Sequence, residues 1–211
     1  MSPTKLLKKS LFLTLSLWTM SASADIVFLL GNNPQPDEQN ILFEDSETGA
    51  TITGDANGVP VVFSSLTGQT LYQNAKGQAS IEEVNGDPLT SILITTPGYT
   101  FQDFIMNPLN GTGTATVTVI DNFGATFNYD LGNGQNYLTI YAINNESIQS
   151  ISVMMSEGGG FDVFKQPRIS GAVACQETGC PSPDTGVPEP ATIALLGLGL
   201  AGIRLTRRRA I

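Results

Sequence analysis

The chain has 211 residues, with ten basic and 19 acidic side chains, two cysteines, one tryptophan and no histidine. The absence of histidine excludes Ser–His–Asp and Cys–His nucleophilic catalysis and nearly all zinc chemistry. Between Asp25 and Gly186 only Lys76, Lys165 and Arg168 face 18 acids, a net charge of 3 − 18 = −15. Such a surface repels nucleic acid and cannot form a phosphate-tracking groove.

In chain order, Lys5, Lys8 and Lys9 precede the apolar run Leu11 to Met20, followed by Ala22-Ser23-Ala24. A basic head, a short hydrophobic core and an A-x-A site predict a Sec-type signal peptide over 1–24, cut between Ala24 and Asp25. The run is too short for a comfortable membrane span of about 20 residues. The Sec translocon and signal peptidase are then the first partners. The only tryptophan, Trp18, leaves with this segment.

From Asp25 to Ala174 the pattern is sheet. Short runs rich in Val, Ile, Thr, Phe and Tyr are punctuated by Gly, Asn, Asp and Pro, with no long helical period. Candidate strands are Ile41–Phe43, Thr51–Thr53, Val59–Phe63, Gln69–Tyr72, Gln78–Val84 and Ser91–Thr95. In "GTGTATVTVID", Thr112, Thr114, Thr116 and Thr118 face one way, and Ala115, Val117 and Val119 the other. Asp121–Gly124 turns this strand into Ala125–Leu131 as a hairpin. Tyr137–Ile143 and Ser147–Met155 read as a second hairpin around Asn144-Asn145. "FDVFKQPRISG" supplies the last strand, where Pro167 predicts an edge position or a bulge. Eight to ten strands at this spacing predict an all-β, antiparallel, jelly-roll-like sandwich, with an up-and-down barrel as the lesser possibility.

Cys175 and Cys180 open a Pro-rich linker that runs to Pro190. In an exported protein two cysteines predict a disulfide, here tying a short local loop. Residues 191–206 are apolar apart from Arg204 and, as a helix, span about 24 Å, which suits a single transmembrane helix if Arg204 snorkels and the bilayer thins. Arg207, Arg208 and Arg209 then form a basic cytoplasmic tail over 207–211. Gly197, Gly199 and Gly202 spell G-x-G-x-x-G, but no strand precedes them and too little chain follows for a βαβ unit.

Val187-Pro188-Glu189-Pro190, the apolar segment and Arg207-Arg208-Arg209 together resemble the PEP-CTERM sorting signal of Gram-negative bacteria. That resemblance implies processing by an exosortase, a membrane cysteine protease, after a transient stay in the inner membrane. It implies delivery to the cell surface or extracellular matrix, in association with exopolysaccharide and biofilm. The phrases "NNPQPDEQNILF", "DNFGATFNYDLGNGQNYLTIYAIN" and "FKQPRISG" are similar to recurring phrases in the bodies of such proteins, which implies a sandwich and assigns no catalytic residue. Arg204 departs from the usual tail.

Several residues are candidates for ligands. Asp37, Glu38, Glu44, Asp45, Glu47 and Asp55 crowd a loop-rich region, and Asp162 is a further candidate, so a structural calcium is the one cofactor in play; no D-x-D-x-D-G spacing supports it. Glu82 and Glu83 point to opposite faces of a strand and cannot flank one glycosidic bond; Glu146 or Asp103 would have to complete such a pair, and nothing singles either out. Tyr99, Tyr129 and Tyr141 are candidate sugar-stacking platforms, with Tyr72 and Tyr137 behind them, against the alternative of cross-strand packing. Asn110-Gly111-Thr112 and Asn145-Glu146-Ser147 match a glycosylation pattern but read as turns. The expectation is a non-enzymatic surface or matrix protein; the alternative is a carbohydrate-binding sandwich.

Overall fold

The computed structural model describes residues 26–73, 76–121, 124–144 and 146–175. The expected signal peptide with Ala22, Ala24 and Asp25, Cys180, the Val187–Pro190 motif, the expected helix over 191–206 and Arg207 to Arg209 all lie outside the described residues. Among the described residues no helix is long and apolar enough to cross a membrane.

Eighteen strand segments make up the described chain. The first nine are β1 (Ile26–Leu30), β2 (Gln39–Asn40), β3 (Leu42–Phe43), β4 (Glu47–Gly49), β5 (Thr51–Ala56), β6 (Val59–Ser64), β7 (Leu71–Gln73), β8 (Gly77–Gln78) and β9 (Ser80–Glu83). Then come β10 (Ser91–Thr95), β11 (Tyr99–Thr100), β12 (Asp103–Thr112), β13 (Thr114–Ile120), β14 (Ala125–Asp130), β15 (Leu138–Ala142), β16 (Ser150–Met155), β17 (Gly160–Ser170) and β18 (Val173–Ala174).

Two eight-stranded antiparallel sheets result. One runs β1-β15-β12-β17-β9-β7-β4, with β2 also on β17; the other runs β14-β13-β16-β10-β6-β5-β3-β8. Their inner faces share one apolar core. Phe63 of the second sheet meets Phe164 of the first at 6.1 Å between ring centroids, and Phe164 also packs on Phe104 and Phe161. At one side Phe28 of β1 stacks on Phe127 of β14 at 5.0 Å, closing the sandwich edge. Within the larger arrangement β9, β17, β12 and β15 are neighbours in that order, opposite β10, β16, β13 and β14. All steps from β9 to β17 through these eight strands cross between sheets except β13 to β14. That is the winding of a jelly roll.

The β13–β14 hairpin forms as its alternation predicts: Ala115, Val117 and Val119 are buried and pair in register with Tyr129, Phe127 and Ala125. The second hairpin does not form. β15 lies in the first sheet between β1 and β12, whereas β16 lies in the second between β13 and β10. The chain crosses the sandwich at Asn144, which takes the left-handed conformation (φ 55°) that asparagine tolerates. A short polar connection is common to both arrangements; the buried faces of the strands choose between them.

Pro167 is also reassigned. β17 is central, paired with β12 on one side and with β9 and β2 on the other. The register with β12 slips between Ile105 and Asn107, opposite Arg168 and Lys165, and Gln166 takes φ 52° there. The bulge half of the expectation describes this strand, and the edge half does not. A bulge removes the ladder bond that proline cannot donate to.

Candidate functional site

The first sheet has an outer face that is covered as well as an inner one. Along β12, Phe104 and Met106 enter the core, yet Asp103, Ile105 and Asn107 on the opposite face are also almost wholly inaccessible. The cover over Asp103 and Ile105 is the segment 31–38, "GNNPQPDE", whereas Asn107 Oδ1 accepts from the Asn136 N–H at 2.9 Å. Thr139 Oγ1 donates to the Gly31 carbonyl at 3.0 Å and accepts from the Asn33 N–H at 3.0 Å. Arg168 donates to Asn32 Oδ1 at 2.6 Å and forms an ion pair with Glu38 at 3.0 Å. Glu38 in turn accepts from the Gln35 N–H at 2.7 Å. Thr139 and Arg168 flank Ile105 in the ladder, so the segment is pinned on both sides of that residue.

One row further along, Tyr141, Asp103 and Ser170 sit directly opposite one another on β15, β12 and β17. They border a cavity of about 280 Å³ that also touches Gln35, Pro36, Asp37, Gln102, Ala142 and Gly171. Asp103 is 2% exposed. Ser170 Oγ donates to its Oδ2, and its buried Oδ1 has no hydrogen-bond partner. Burial, reinforced by the Glu38 carboxylate and only partly offset by the Arg168 guanidinium, pushes the Asp103 carboxyl from 3.8 up to about 7. This is the most perturbed acid in the described chain. In the sequence Asp103, Glu38 and Tyr141 stand as separate candidates; the fold brings them together.

Other candidates separate. Glu44, Asp45, Glu47 and Asp55 do line one cavity of about 370 Å³, beside Leu42 and Pro60. Two of them serve the backbone: Glu47 accepts from the Thr53 N–H at 3.0 Å, and Asp55 from the Gly58 N–H at 2.9 Å. Asp162 lies outside that lining, on β17, and accepts from Asn110 Nδ2 at 3.2 Å, so it does not join Glu44 and Asp45. Among the described residues no three carboxylate or thiol groups cluster so as to hold a metal ion.

Tyr129 offers no open stacking platform. It is 8% exposed, lies 6.1 Å from the Phe127 ring, and burial pushes its phenol well above the usual range. Tyr99 and Tyr141 remain half-buried. Glu82 is half-buried and Glu83 buried, and Glu83 accepts from the Asn85 N–H, a turn role. Asn110 uses both ends of its amide, toward Asp162 and toward the Gly134 N–H, at φ 52°. Next to it Gly111 cannot carry a side chain, because a Cβ would lie 2.5 Å from Leu131. The asparagine is therefore built into a turn. Asn145 lies outside the described residues.

Cys175 ends the described chain, its N–H donating to the Gly98 carbonyl at 2.8 Å beside the β11–β18 pair. Since Ile26 pairs with Ala142 next to Tyr141, both described termini leave from the end that holds the Asp103 cavity.

No curated protein matches the sequence. Among solved structures, a mutant of the family 29 carbohydrate-binding module CBM29-2 complexed with mannohexaose is similar at 10% identity, covering 65% of this chain and 89% of its own, with a TM-score of 0.26. Another family 29 module, CBM29_1 from Piromyces equi, is similar at 8% identity, covering 69% of this chain and 91% of its own, with a TM-score of 0.25. TM-scores this low carry no argument about fold or ligand. The family model for the PEP-CTERM protein-sorting motif matches residues 186–209. The chain thus joins an antiparallel β-sandwich to a PEP-CTERM motif, the mark of an exosortase-sorted surface protein.

Proposed function

We propose that this protein is a non-catalytic structural component of the cell surface or extracellular matrix, exported by a signal peptide, held briefly by the 191–206 helix and then handed on by an exosortase. The sorting motif carries this reading. An acidic surface supports it, because like charge keeps secreted domains soluble and apart until a matrix partner or cation binds. Exopolysaccharide is the partner class, and the Pro-rich stretch to Pro190 is the spacer that lifts the sandwich from the membrane.

Replacing Pro188, Glu189 and Pro190 by alanine tests the sorting step. The expected result is precursor retained in the inner membrane, with surface delivery reduced at least about tenfold; replacing Gly197, Gly199 and Gly202 by alanine leaves insertion intact. Normal delivery of the triple-alanine motif variant refutes the reading. A Cys175–Cys180 disulfide is part of the same proposal, and thiol labelling of the native exported protein should find no free thiol. Complete labelling without reductant removes the bridge.

The second reading, a sugar-binding module, is favoured by one observation: half-buried Tyr141 borders a cavity with polar side chains. On a glycan array, saturable binding that falls about tenfold in Tyr141→Ala selects this reading. A blank array selects the purely structural one.

A further inference from the structure

The Asp103 carboxyl has no positive partner of its own. Arg168, one of three basic side chains between Asp25 and Gly186, is committed to Glu38 at 3.0 Å and to Asn32 at 2.6 Å. Ser170 occupies Oδ2, and Oδ1 is buried with nothing to bond. A buried carboxylate oxygen left in this state is costly, so native structures rarely keep one without a ligand, water or ion. A bound cation would supply the missing partner.

The surroundings select the kind of cation. Asp103, Asp37, Gln35, Gln102, Ser170 and Tyr141 border the cavity with carboxylate, amide, hydroxyl and phenol oxygens, and the chain has no imidazole to compete. An all-oxygen set with two carboxylates and several neutral donors suits a hard divalent ion. Calcium accepts six to eight oxygens in irregular geometry, whereas magnesium demands a compact octahedron. A cavity of about 280 Å³ leaves space for retained waters to complete a loose shell.

We propose that this cavity is a calcium site, with Asp103 as the buried anchor and Asp37 as the rim carboxylate. Asp37 is the exposed member, on the covering segment, at φ 62°. A cation held between the two therefore ties segment 31–38 to β12, beside the existing clamp through Glu38 and Arg168. Two carboxylates are fewer than a three-acid cluster, so affinity in the range of extracellular modules, about 10⁻⁴–10⁻³ M, is expected. The acidic cavity at Glu44 and Asp45 has no corresponding orphaned buried oxygen, and its acids serve as an internal control.

The experiment is calorimetric titration of calcium chloride into the chelator-treated full-length chain in detergent, with limited proteolysis of segment 31–38 alongside. One saturable site per chain is expected, with cleavage of the segment slowed at least about fivefold by calcium. Asp103→Asn should abolish the site, and Asp37→Asn, at an exposed position that cannot threaten folding, should weaken it at least about tenfold. Glu44→Gln with Asp45→Asn should leave it unchanged. Unsaturable binding that survives Asp37→Asn overturns the proposal as simple counter-ion attraction to an acidic surface. Loss of binding only in the Glu44/Asp45 variant, or equal binding of magnesium, overturns it as well.

Discussion

Phe164→Ala is expected to destabilise the sandwich by about 3–5 kcal/mol, the range for emptying a buried aromatic site. Phe164 is fully buried and contacts Phe63 across the sandwich and Phe104 and Phe161 within its own sheet, at 6.1, 6.4 and 6.2 Å between centroids. Three neighbouring rings of fixed orientation cannot all collapse into the vacated volume, so a cavity term adds to the lost transfer energy. In urea the midpoint should fall while the slope stays unchanged, since the same surface is exposed on unfolding. Phe28→Ala, at the partly buried edge contact with Phe127, should cost clearly less. A loss below about 1 kcal/mol for Phe164→Ala would mean that the two sheets do not share the core described.

What was legible in the sequence depended on whether one face of a strand met water. β13 was readable because threonines face outward and valines inward, which produces clean alternation. β12 was missed for the opposite reason. Phe104 and Met106 face the core while Asp103 and Ile105 face segment 31–38 and Asn107 accepts from the Asn136 N–H, so both faces are buried and the period disappears. β15 was read as a strand over Tyr137–Ile143 even though Leu138, Thr139 and Ile140 are all fully buried; only its pairing was mistaken. The false hairpin between β15 and β16 arose because proximity in sequence favours local pairing, whereas only tertiary packing sends the two strands to different sheets.

The site was less legible still. Glu38, Asp103, Tyr141, Arg168 and Ser170 come from four distant segments, and no spacing rule links them. Two signals did exist. Asp103 is an acid within the otherwise apolar stretch Phe101 to Met106, broken only by Gln102, and Arg168 is one of just three bases among 18 acids. A scarce cation and an acid in an apolar strand invite the question of what each one faces. The sorting signal at 186–209 needed no such tertiary information, because its parts are read in linear order by other proteins.

Removing that scarce cation should be costly. Arg168→Met keeps most of the apolar stem of the side chain but leaves Glu38, whose side chain is 7% exposed, without its ion pair and within the field of Asp103. Truncating one member of a buried pair typically costs about 3–5 kcal/mol, and the 20% exposure of the arginine side chain places this case near the lower end, about 3 kcal/mol at pH 7.5. The sign of the pH dependence follows from Asp103. Its folded value of about 7 lies above 3.8, so the folded protein holds a proton that the unfolded chain releases. The associated stability is complete below about pH 4 and declines as pH rises through 7. With Arg168 gone, a guanidinium that lowered that value is lost, and the decline should extend to higher pH and begin from a less stable state. Denaturation in chelator at pH 5 and pH 7.5 measures this: the deficit of Arg168→Met should be larger at pH 7.5 and should shrink by about half or more when Glu38→Gln is added. A deficit equal at both pH values and insensitive to Glu38→Gln would mean that Arg168 acts through packing and its bond to Asn32, and that no buried charge balance holds segment 31–38 against the sheet.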